Sequence, residues 1–461
     1  STLICDAPTA RAMTSLLEEM AGDTVDDAPT IRAPGGTGTS SHTMTGTSVH
    51  LPGRITNQRQ LALMMATGRE ITGKVPAARW DVEAAVASST DLGEAVCNRM
   101  KYGAFIESAE LFDCRFFGVS PAESTAMDPQ QRLCLEHGYQ ALHASGLTKA
   151  DLNGKEHGVY LGFSCQDFAK CLENHPAARG VYSATGSSQS IASGRLSFVL
   201  GLQGPCALID TACSAGLTAT GFAANALTLG ECALAVVLAV NIMLVTDVHR
   251  AFALAGMTSV DGKCFTWDSR ANGYCRSDSC GACVLQGAGD VGEEQLIALL
   301  GTSVRCDGKS ASLTAPNGMA QKRLIQSALA VAGAAGKDMQ MMQAHGTGTA
   351  LGDPIEMGST VGAVFSRHGA DDCLPAISSV KANGGHAEPG AGFSGMMALL
   401  YSLIPRSAAP NVALRILNPA VDASLQNGMA ALVTQLGQVQ AVERQRQHTT
   451  GGVSSFGYSG T

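Results

Sequence analysis

Short apolar runs alternate with longer stretches of helical periodicity along most of this 461-residue chain. Continuous apolar runs are typical of buried parallel strands, because helices cover both faces of such strands. Alternating strands and helices favour an α/β fold with a largely parallel sheet. We predict strands at 157–163, 206–210, 233–240, 282–286, 339–344 and 375–380, and helices at 131–145, 214–228, 320–333 and 391–404.

The two ends of the chain have a different character. Residues 7–20 have the periodicity of a helix, whereas residues 21–43 are rich in Asp, Thr, Gly, Pro and Ser, a composition typical of a linker. We expect the compact part to begin at about residue 44. The last residues read GVSSFGYSGT, a glycine-rich turn, and we interpret the end of the chain there as a truncation.

Composition and charge narrow the class of protein. Hydrophobic residues make up 45% of the chain and charged residues only 15%, which is typical of a large, oligomeric α/β enzyme. A net charge of −8 argues against nucleic acid or an anionic membrane as a partner, because both require a basic surface. The longest apolar run, 232–245, contains Asn241 and is too short to span a bilayer.

The chain has 15 cysteines, an odd number, and they are scattered along the sequence without a disulfide pattern. This is typical of a reduced intracellular protein. Cys280 and Cys283 form a C-x-x-C motif. A zinc site would need a second pair of ligands, and a redox motif usually begins a helix. Neither feature is evident, so we interpret this motif as part of a buried strand and predict no metal.

The segment 205–221, PCALIDTACSAGLTATG, has the pattern of a nucleophile turn. An apolar strand leads into a tight turn at Thr211–Cys213, and a helix of small residues follows. This geometry projects a side chain sharply from a strand-to-helix turn. Cys213 would lie at the helix N-terminus, where the helix dipole and free N–H groups should lower the pKa of its thiol.

Two further segments bring histidines to glycine-rich turns. In 344–356, AHGTGTALGDPIE, a strand ends at His345. In 377–395, ISSVKANGGHAEPGAGFSG, Lys381 and His386 lie between a strand and a helix of small residues. A buried lysine beside a histidine would orient the imidazole. Taken alone, the lysine could equally be a solvated surface residue, and each histidine could equally be packed in the core.

The fourth segment, 451–460, is a loop of glycines and serines around Phe456, Gly457 and Tyr458. Such a loop can bring backbone N–H groups close to a substrate. A nucleophilic cysteine, two histidines and such N–H groups are the components that thioester chemistry followed by carbanion formation requires.

These four segments resemble the elongating β-ketoacyl synthases of the thiolase superfamily. The shared motifs are D-T-A-C-S, H-G-T-G-T-x-x-G-D-P-x-E, K-x-N-x-G-H and S-F-G-x-S-G-T. The resemblance extends from about residue 44 to the end and includes TSVHLPGR, MDPQQRLCLE, SGRLSFVLGLQGP, LTAPNGMAQKRLIQSAL and PNVALRILNPAVD.

The resemblance implies a decarboxylative Claisen condensation in polyketide or fatty-acid elongation. Cys213 would accept an acyl chain from an acyl-carrier protein. His345 and His386 would bind the thioester carbonyl of a malonyl-type extender and assist its decarboxylation. Lys381 would support the second histidine. The backbone N–H groups of Cys213 and Tyr458 would bind the tetrahedral oxyanion.

The remaining implied roles are structural or concern the acyl pocket. Glu356 and Asp353 resemble acids of the family that are more structural than catalytic. Phe456, Gly457 and Tyr458 would line the pocket. No metal or organic cofactor is implied, because the substrates are carried on the phosphopantetheine of the acyl-carrier protein.

The resemblance also implies a fold and an organisation. The fold would be the five-layered αβαβα thiolase fold with two pseudo-symmetric halves, 44–300 with the cysteine and 301–461 with the histidines, assembled as a homodimer. Residues 1–20 resemble the last helix of an acyl-carrier domain, which would make the parent protein a modular type I synthase. An unrelated amphipathic helix is the alternative.

The chain departs from the family pattern at several positions. Asn272 replaces an acidic residue, the tripeptide 277–279 (Ser-Asp-Ser) replaces Gly-Glu-Gly, Met397 replaces a lysine, and Tyr458 replaces Phe or Ile. These changes leave the cysteine and histidines intact. They bear on substrate preference and local loop geometry.

Three alternatives remain beside the condensing enzyme. A non-condensing ketosynthase-like domain would transfer acyl groups or serve as a structural element, and members of that kind usually lack the cysteine or the first histidine. A docking module would keep the fold for dimerisation alone. A thiolase or a coenzyme A-using initiation synthase would use a different set of residues, Cys/His/Cys or Cys/His/Asn. An acyltransferase in cis or in trans, and a cytoplasmic or plastid location, remain open.

Overall fold

The computed structural model describes residues 41–88, 92–165, 167–173, 175–287, 297–365, 374–425, 430–439 and 449–461. The helix expected at 1–20 and nearly all of the linker expected at 21–43 lie outside these residues.

The structure contains fourteen named strands and sixteen α-helices among the described residues, numbered here in chain order. The strands are β1 His42–His50, β2 Gly73–Lys74, β3 Tyr102–Gly103, β4 His157–Gly162, β5 Cys206–Ile209, β6 Leu234–Asn241, β7 Ser279–Gly287, β8 Ile297–Leu299, β9 Met341–Gln343, β10 Ala376–Ser378, β11 Ser407–Ala408, β12 Ala431–Leu432, β13 Gly437–Gln438 and β14 Gly451–Val453. The helices are α1 Gln58–Thr67, α2 Val82–Ala87, α3 Glu94–Arg99, α4 Pro121–Ala126, α5 Pro129–Ala144, α6 Lys149–Leu152, α7 Asp167–Leu172, α8 Ser183–Ser187, α9 Gln189–Leu200, α10 Ala215–Thr228, α11 Thr246–Leu254, α12 Gly318–Val331, α13 Gly352–Thr360, α14 Lys381–Gly384, α15 Ala391–Leu403 and α16 Pro419–Leu425.

The larger sheet has six strands in the order β5-β4-β6-β7-β1-β8. Strands β5, β4 and β6 are parallel, whereas β7, β1 and β8 pair antiparallel to their neighbours. Every residue of β6 is buried, as its continuous apolar run predicts. The sequence predicted a largely parallel sheet, but three of the six strands pair antiparallel. One of them is β1, which begins at His42 and pairs with β7.

The smaller sheet has four parallel strands in the order β12-β10-β9-β14. Ile377 of β10 pairs with Met342 of β9 and Leu432 of β12, and β14 joins the opposite edge of β9 through Gly452. Parallel pairing places the carboxyl ends of these strands on one side. The loops that follow β9 and β14 therefore leave the sheet together.

Three layers of helices and the two sheets form five layers. Helices α5 and α9 cover one face of the larger sheet, and α10 and α15 pack against each other between the two sheets. Helices α12 and α13 share a core cluster with β9 and β10 and cover the outer face of the smaller sheet. This αβαβα order confirms the predicted thiolase-like architecture.

The predicted elements correspond to observed ones, with ends that differ by a few residues. Cys280 and Cys283 lie on β7 and are buried, as expected for strand residues. Among the described residues, no cluster of three or more His, Cys, Asp or Glu side chains has the arrangement of a metal site. Within the same residues, no helix has the length and apolar character needed to cross a membrane.

Candidate active site

Cys213 lies in a 3-10 turn, Ala212–Ser214, between β5 and α10, as the sequence predicts. Ala212 adopts a φ of 54°, in the left-handed region that residues with a Cβ rarely occupy. Ser214 stabilises the turn because its hydroxyl donates to the Thr211 carbonyl at 2.9 Å. The turn thus presents Cys213 at the N-terminus of the fourteen-residue helix α10.

The thiol of Cys213 is protonated in the resting protein. Burial raises its pKa to about 12, and the negative charge of Glu388 adds to this effect. Lys381 lowers the pKa of this thiol, and so do the backbone N–H groups of Tyr458 and of Cys213 itself. The lowered pKa expected from the helix N-terminus is therefore not observed, because burial outweighs the groups that stabilise a thiolate.

The glycine-rich loop after β14 closes against this turn. The hydroxyl of Ser455 donates to the carbonyl of Cys213 at 2.7 Å. A Cβ on Gly457 would lie only 2.4 Å from the Thr211 carbonyl oxygen, so the loop approaches at a distance that requires glycine. Tyr458 follows Gly457 in this loop, and its backbone N–H acts to lower the pKa of the Cys213 thiol.

His345 follows β9 and faces the same loop. The N–H of Phe456 donates to its Nδ1 at 3.3 Å, and the two rings pack edge to face with centroids 5.8 Å apart. Since Nδ1 accepts a hydrogen bond, the proton of the neutral ring lies on Nε2. His345 keeps an intermediate exposure, yet protein surrounds most of the ring, and this burial holds its pKa well below the ordinary value.

His386 stands perpendicular to His345, with ring centroids 5.4 Å apart. Its backbone N–H donates to the Cys275 carbonyl at 2.7 Å, and its carbonyl accepts from the N–H of Ser277 at 3.0 Å. The ring of Tyr274 packs edge to face against it at 4.8 Å. Burial and the nearby charge of Lys381 hold the pKa of His386 well below its ordinary value, so both histidines are neutral at pH 7.

Lys381 begins the short helix α14 and is 2% exposed. Burial lowers its pKa, whereas the carboxylates of Glu356 and Asp353 raise it. Its charge acts on both histidines and on Cys213.

Glu356 and Asp353 hold the backbone of the His345 turn. Glu356 accepts from the N–H of His345 at 2.6 Å, from that of Gly346 at 2.7 Å, and from the hydroxyl of Ser454 at 2.7 Å. Asp353 accepts from the N–H groups of Trp267 and Gly348. Burial raises the pKa of Asp353 to about 7.

The positions that depart from the family pattern have partners of their own in the structure. Asp278 is fully buried and accepts hydrogen bonds from the N–H groups of Met243 and Ile106, and it pairs with Arg79 at 2.8 Å. Asn272 donates to Asp261 at 2.8 Å. Asp278, which stands where the family pattern has a glutamate, thus has hydrogen-bond partners for both of its carboxylate oxygens.

Sequence reasoning missed one charged pair in this site. Arg276 and Glu388 form a buried ion pair, with Nε–Oε1 at 2.5 Å and Nη2–Oε2 at 2.9 Å. Glu388 lies in the segment 377–395, and Arg276 directly precedes the tripeptide 277–279. Nothing in the sequence connects two positions 112 residues apart, so their pairing appears only in the fold.

The fold is of the thiolase class, and its site brings together one cysteine and two histidines. The model of the beta-ketoacyl synthase N-terminal domain matches residues 43–290, and that of the C-terminal domain matches residues 296–415. The chain therefore belongs to the beta-ketoacyl synthase family.

Similar proteins are large modular synthases and their excised domains. The chain is 36% identical over 424 residues to the polyketide synthase GfsB of Streptomyces halstedii, covering 90% of this chain and 7% of that protein. It is 34% identical over 472 residues to the erythronolide synthase EryA2 of Saccharopolyspora erythraea, covering 100% of this chain and 13% of that protein. The chain thus spans a small part of these relatives and corresponds to a ketosynthase domain of the modular type I kind.

Solved ketosynthase structures share the fold. The ketosynthase from module 6 of the bacillaene synthase from Bacillus subtilis superimposes with a TM-score of 0.79 at 30% identity, over 91% of this chain and 70% of that one. The oxazolomycin ketosynthase domain of Streptomyces albus gives a TM-score of 0.83 at 28% identity, over 91% and 74% of the two chains.

Proposed function

We propose that this domain condenses an acyl group held on Cys213 with a malonyl-type extender held on an acyl-carrier protein. One observation carries the proposal: the loop after β14 contacts Cys213 through Ser455 and His345 through Phe456, and His345 packs perpendicular to His386.

The first half-reaction is a thioester exchange. The sulfur of Cys213 attacks the acyl carbonyl, the bond to the phosphopantetheine sulfur breaks, and the proton of the Cys213 thiol ends on the departing carrier thiol. The tetrahedral intermediate carries its negative charge on oxygen. The N–H groups of Cys213 and Tyr458 are the donors we assign to that oxyanion, because both favour the charged form of the Cys213 sulfur.

The second half-reaction forms the carbon–carbon bond. Loss of carbon dioxide from the malonyl group leaves an enolate whose oxygen requires hydrogen-bond donors. His345 is suited to this role, because its Nδ1 is occupied by Phe456 and its Nε2 carries the proton. His386 is the second donor. The enolate carbon then attacks the carbonyl on Cys213, the bond to sulfur breaks, and the departing thiolate takes up a proton from solvent to restore the thiol.

The substrates in this proposal arrive on the phosphopantetheine of a carrier domain, and no other cofactor enters the chemistry. The extender arrives through an acyltransferase in cis or in trans. Both curated relatives named above come from bacteria, so a plastid location has no support.

We also propose that the domain works as a homodimer. Strand β5 lies at the free edge of the larger sheet. Exposed apolar side chains lie on the flanking helices, Phe198 on α9 at 86% and Phe222 on α10 at 51% exposure, and Leu229, directly after α10, is 72% exposed. A second copy would cover them. Light scattering should give twice the chain mass for the wild type and the chain mass for Phe198→Asp; a monomeric wild type would contradict the dimer.

A single-turnover assay separates condensation from the non-condensing alternative. Domain preloaded with an acyl group is mixed with malonyl-carrier protein, and the carrier is analysed by mass spectrometry. Condensation predicts a β-ketoacyl carrier and free Cys213. A domain that accepts acyl groups but never yields the β-keto product would support the alternative.

A further inference from the structure

A charged pair beside the proposed catalytic groups has no role in the condensation described so far. The guanidinium of Arg276 binds both carboxylate oxygens of Glu388, at 2.5 and 2.9 Å, and the two side chains are 1% and 7% exposed. Burial alone would lower the pKa of Arg276, but the Glu388 carboxylate raises it above its ordinary value. The pair is therefore bidentate, and two parallel hydrogen bonds define the relative geometry of the two side chains more tightly than one would.

Both partners adjoin His386 in the backbone. Arg276 lies opposite His386 in a parallel bridge, which is made by the hydrogen bonds of His386 with Cys275 and Ser277. Glu388 follows His386 by two residues and adopts a φ of 48°, in the left-handed region. A non-glycine residue in that region persists only where its surroundings hold it.

Arg276 is in turn anchored to a separate element. Its guanidinium lies over the ring of Phe252 at 5.1 Å from the centroid, and its Nη1 is 3.3 Å from Nδ1 of His249. Both residues belong to helix α11. The ion pair therefore connects the turn of His386 to α11, a contact that the backbone bridge does not supply.

We propose that the Arg276–Glu388 ion pair is a positioning element that holds His386 in the orientation needed for decarboxylation and condensation. The inference rests on the condensing function proposed above. It predicts that loss of the pair slows the step that uses His386 much more than the acyl transfer to Cys213, which uses the N–H groups of the Cys213 turn and of Tyr458.

Replacing both partners by apolar residues distinguishes positioning from a purely structural role. Exchanging a buried ion pair for apolar side chains of similar size is often neutral or stabilising, whereas removing one partner leaves an unpaired buried charge. Arg276→Met combined with Glu388→Leu should therefore fold, even if Glu388→Gln alone does not. Glu123→Gln serves as the control, since it breaks another ion pair, with the largely buried Arg195 at 2.6 Å.

Three rates are measured for each variant: unfolding in urea, acyl loading of Cys213, and single-turnover condensation with malonyl-carrier protein. We expect the double variant to keep its fold and to load within about threefold of wild type, while condensation falls by about tenfold or more. The Glu123→Gln control should keep both rates.

A folded double variant that condenses at the wild-type rate would overturn the inference and leave the proposed function intact. Equal losses of loading and condensation would also overturn it, because they indicate general damage to the site. A wild-type domain that loads but does not condense would instead refute the proposed function, so the two failures are distinguishable.

Discussion

Adding one methyl group at Gly457 should displace the loop that carries the Tyr458 N–H. The new Cβ would lie 2.4 Å from the Thr211 carbonyl oxygen and 3.1 Å from that of Thr461. Real Cβ contacts do not fall below 3.0 Å, so the first pair of atoms must separate by at least 0.6 Å, the difference between 3.0 and 2.4 Å. Both sides of this contact are backbone, so no side chain can rotate to relieve it.

This displacement acts on the oxyanion donor directly. Loss of one such donor costs about 10²–10³-fold in rate, and a misplacement of about 1 Å costs about 10²-fold. We expect Gly457→Ala to slow acyl loading of Cys213 by about 10²-fold, and condensation by a similar factor, since both tetrahedral intermediates use the same N–H.

Acyl loading followed by intact-protein mass spectrometry measures this effect. Gly73→Ala is the matched control, because a Cβ there meets nothing within 4 Å, and it should load at the wild-type rate. Urea unfolding shows whether each variant is folded. A folded Gly457→Ala domain that loads as fast as wild type would refute the assignment of the Tyr458 N–H.

Two further predictions concern buried charge. Burial raises the pKa of Cys213 to about 12, so the fraction of thiolate should increase about tenfold per pH unit. The rate at which iodoacetamide alkylates Cys213 should therefore rise continuously from about pH 7 to about pH 9. A plateau of this rate below about pH 8 would contradict the prediction. Asp278→Asn should lower the free energy of unfolding by about 3–5 kcal/mol in urea titrations, because Arg79 loses its partner in a buried pair. Glu107→Gln, which breaks the exposed pair with Arg54, should change it by less than about 1 kcal/mol, and equal effects of the two variants would refute the reasoning.

Continuous apolar runs predicted the buried strands well, because most side chains of a strand covered on both faces are apolar. The run containing Asn241 became β6, buried at every residue. Strand β1 was not predicted, although it lies in the same sheet. Its sequence, HTMTGTSVH, is rich in Thr, Ser and His, and two of these side chains have partners distant in sequence: Thr228 pairs with His42, and His137 with Ser48. Such partners are invisible in a local pattern.

The same limit applies to the site. Motifs located Cys213, His345 and His386, because each motif is local and each turn is recognisable. The direction of the Cys213 pKa was wrong, because the helix N-terminus is a local feature whereas burial depends on the whole fold. The Arg276–Glu388 pair was missed for the same reason, since its partners come from distant segments.

Intact-protein mass spectrometry of the wild type and Cys213→Ala tests the central claim most directly. Each protein is incubated with acyl thioesters and then with malonyl-carrier protein. The account predicts a mass increase equal to the acyl group in the wild type, its absence in Cys213→Ala, and conversion of the loaded wild type to free enzyme and a β-ketoacyl carrier. A mass increase that persists in Cys213→Ala would contradict the assignment of the nucleophile.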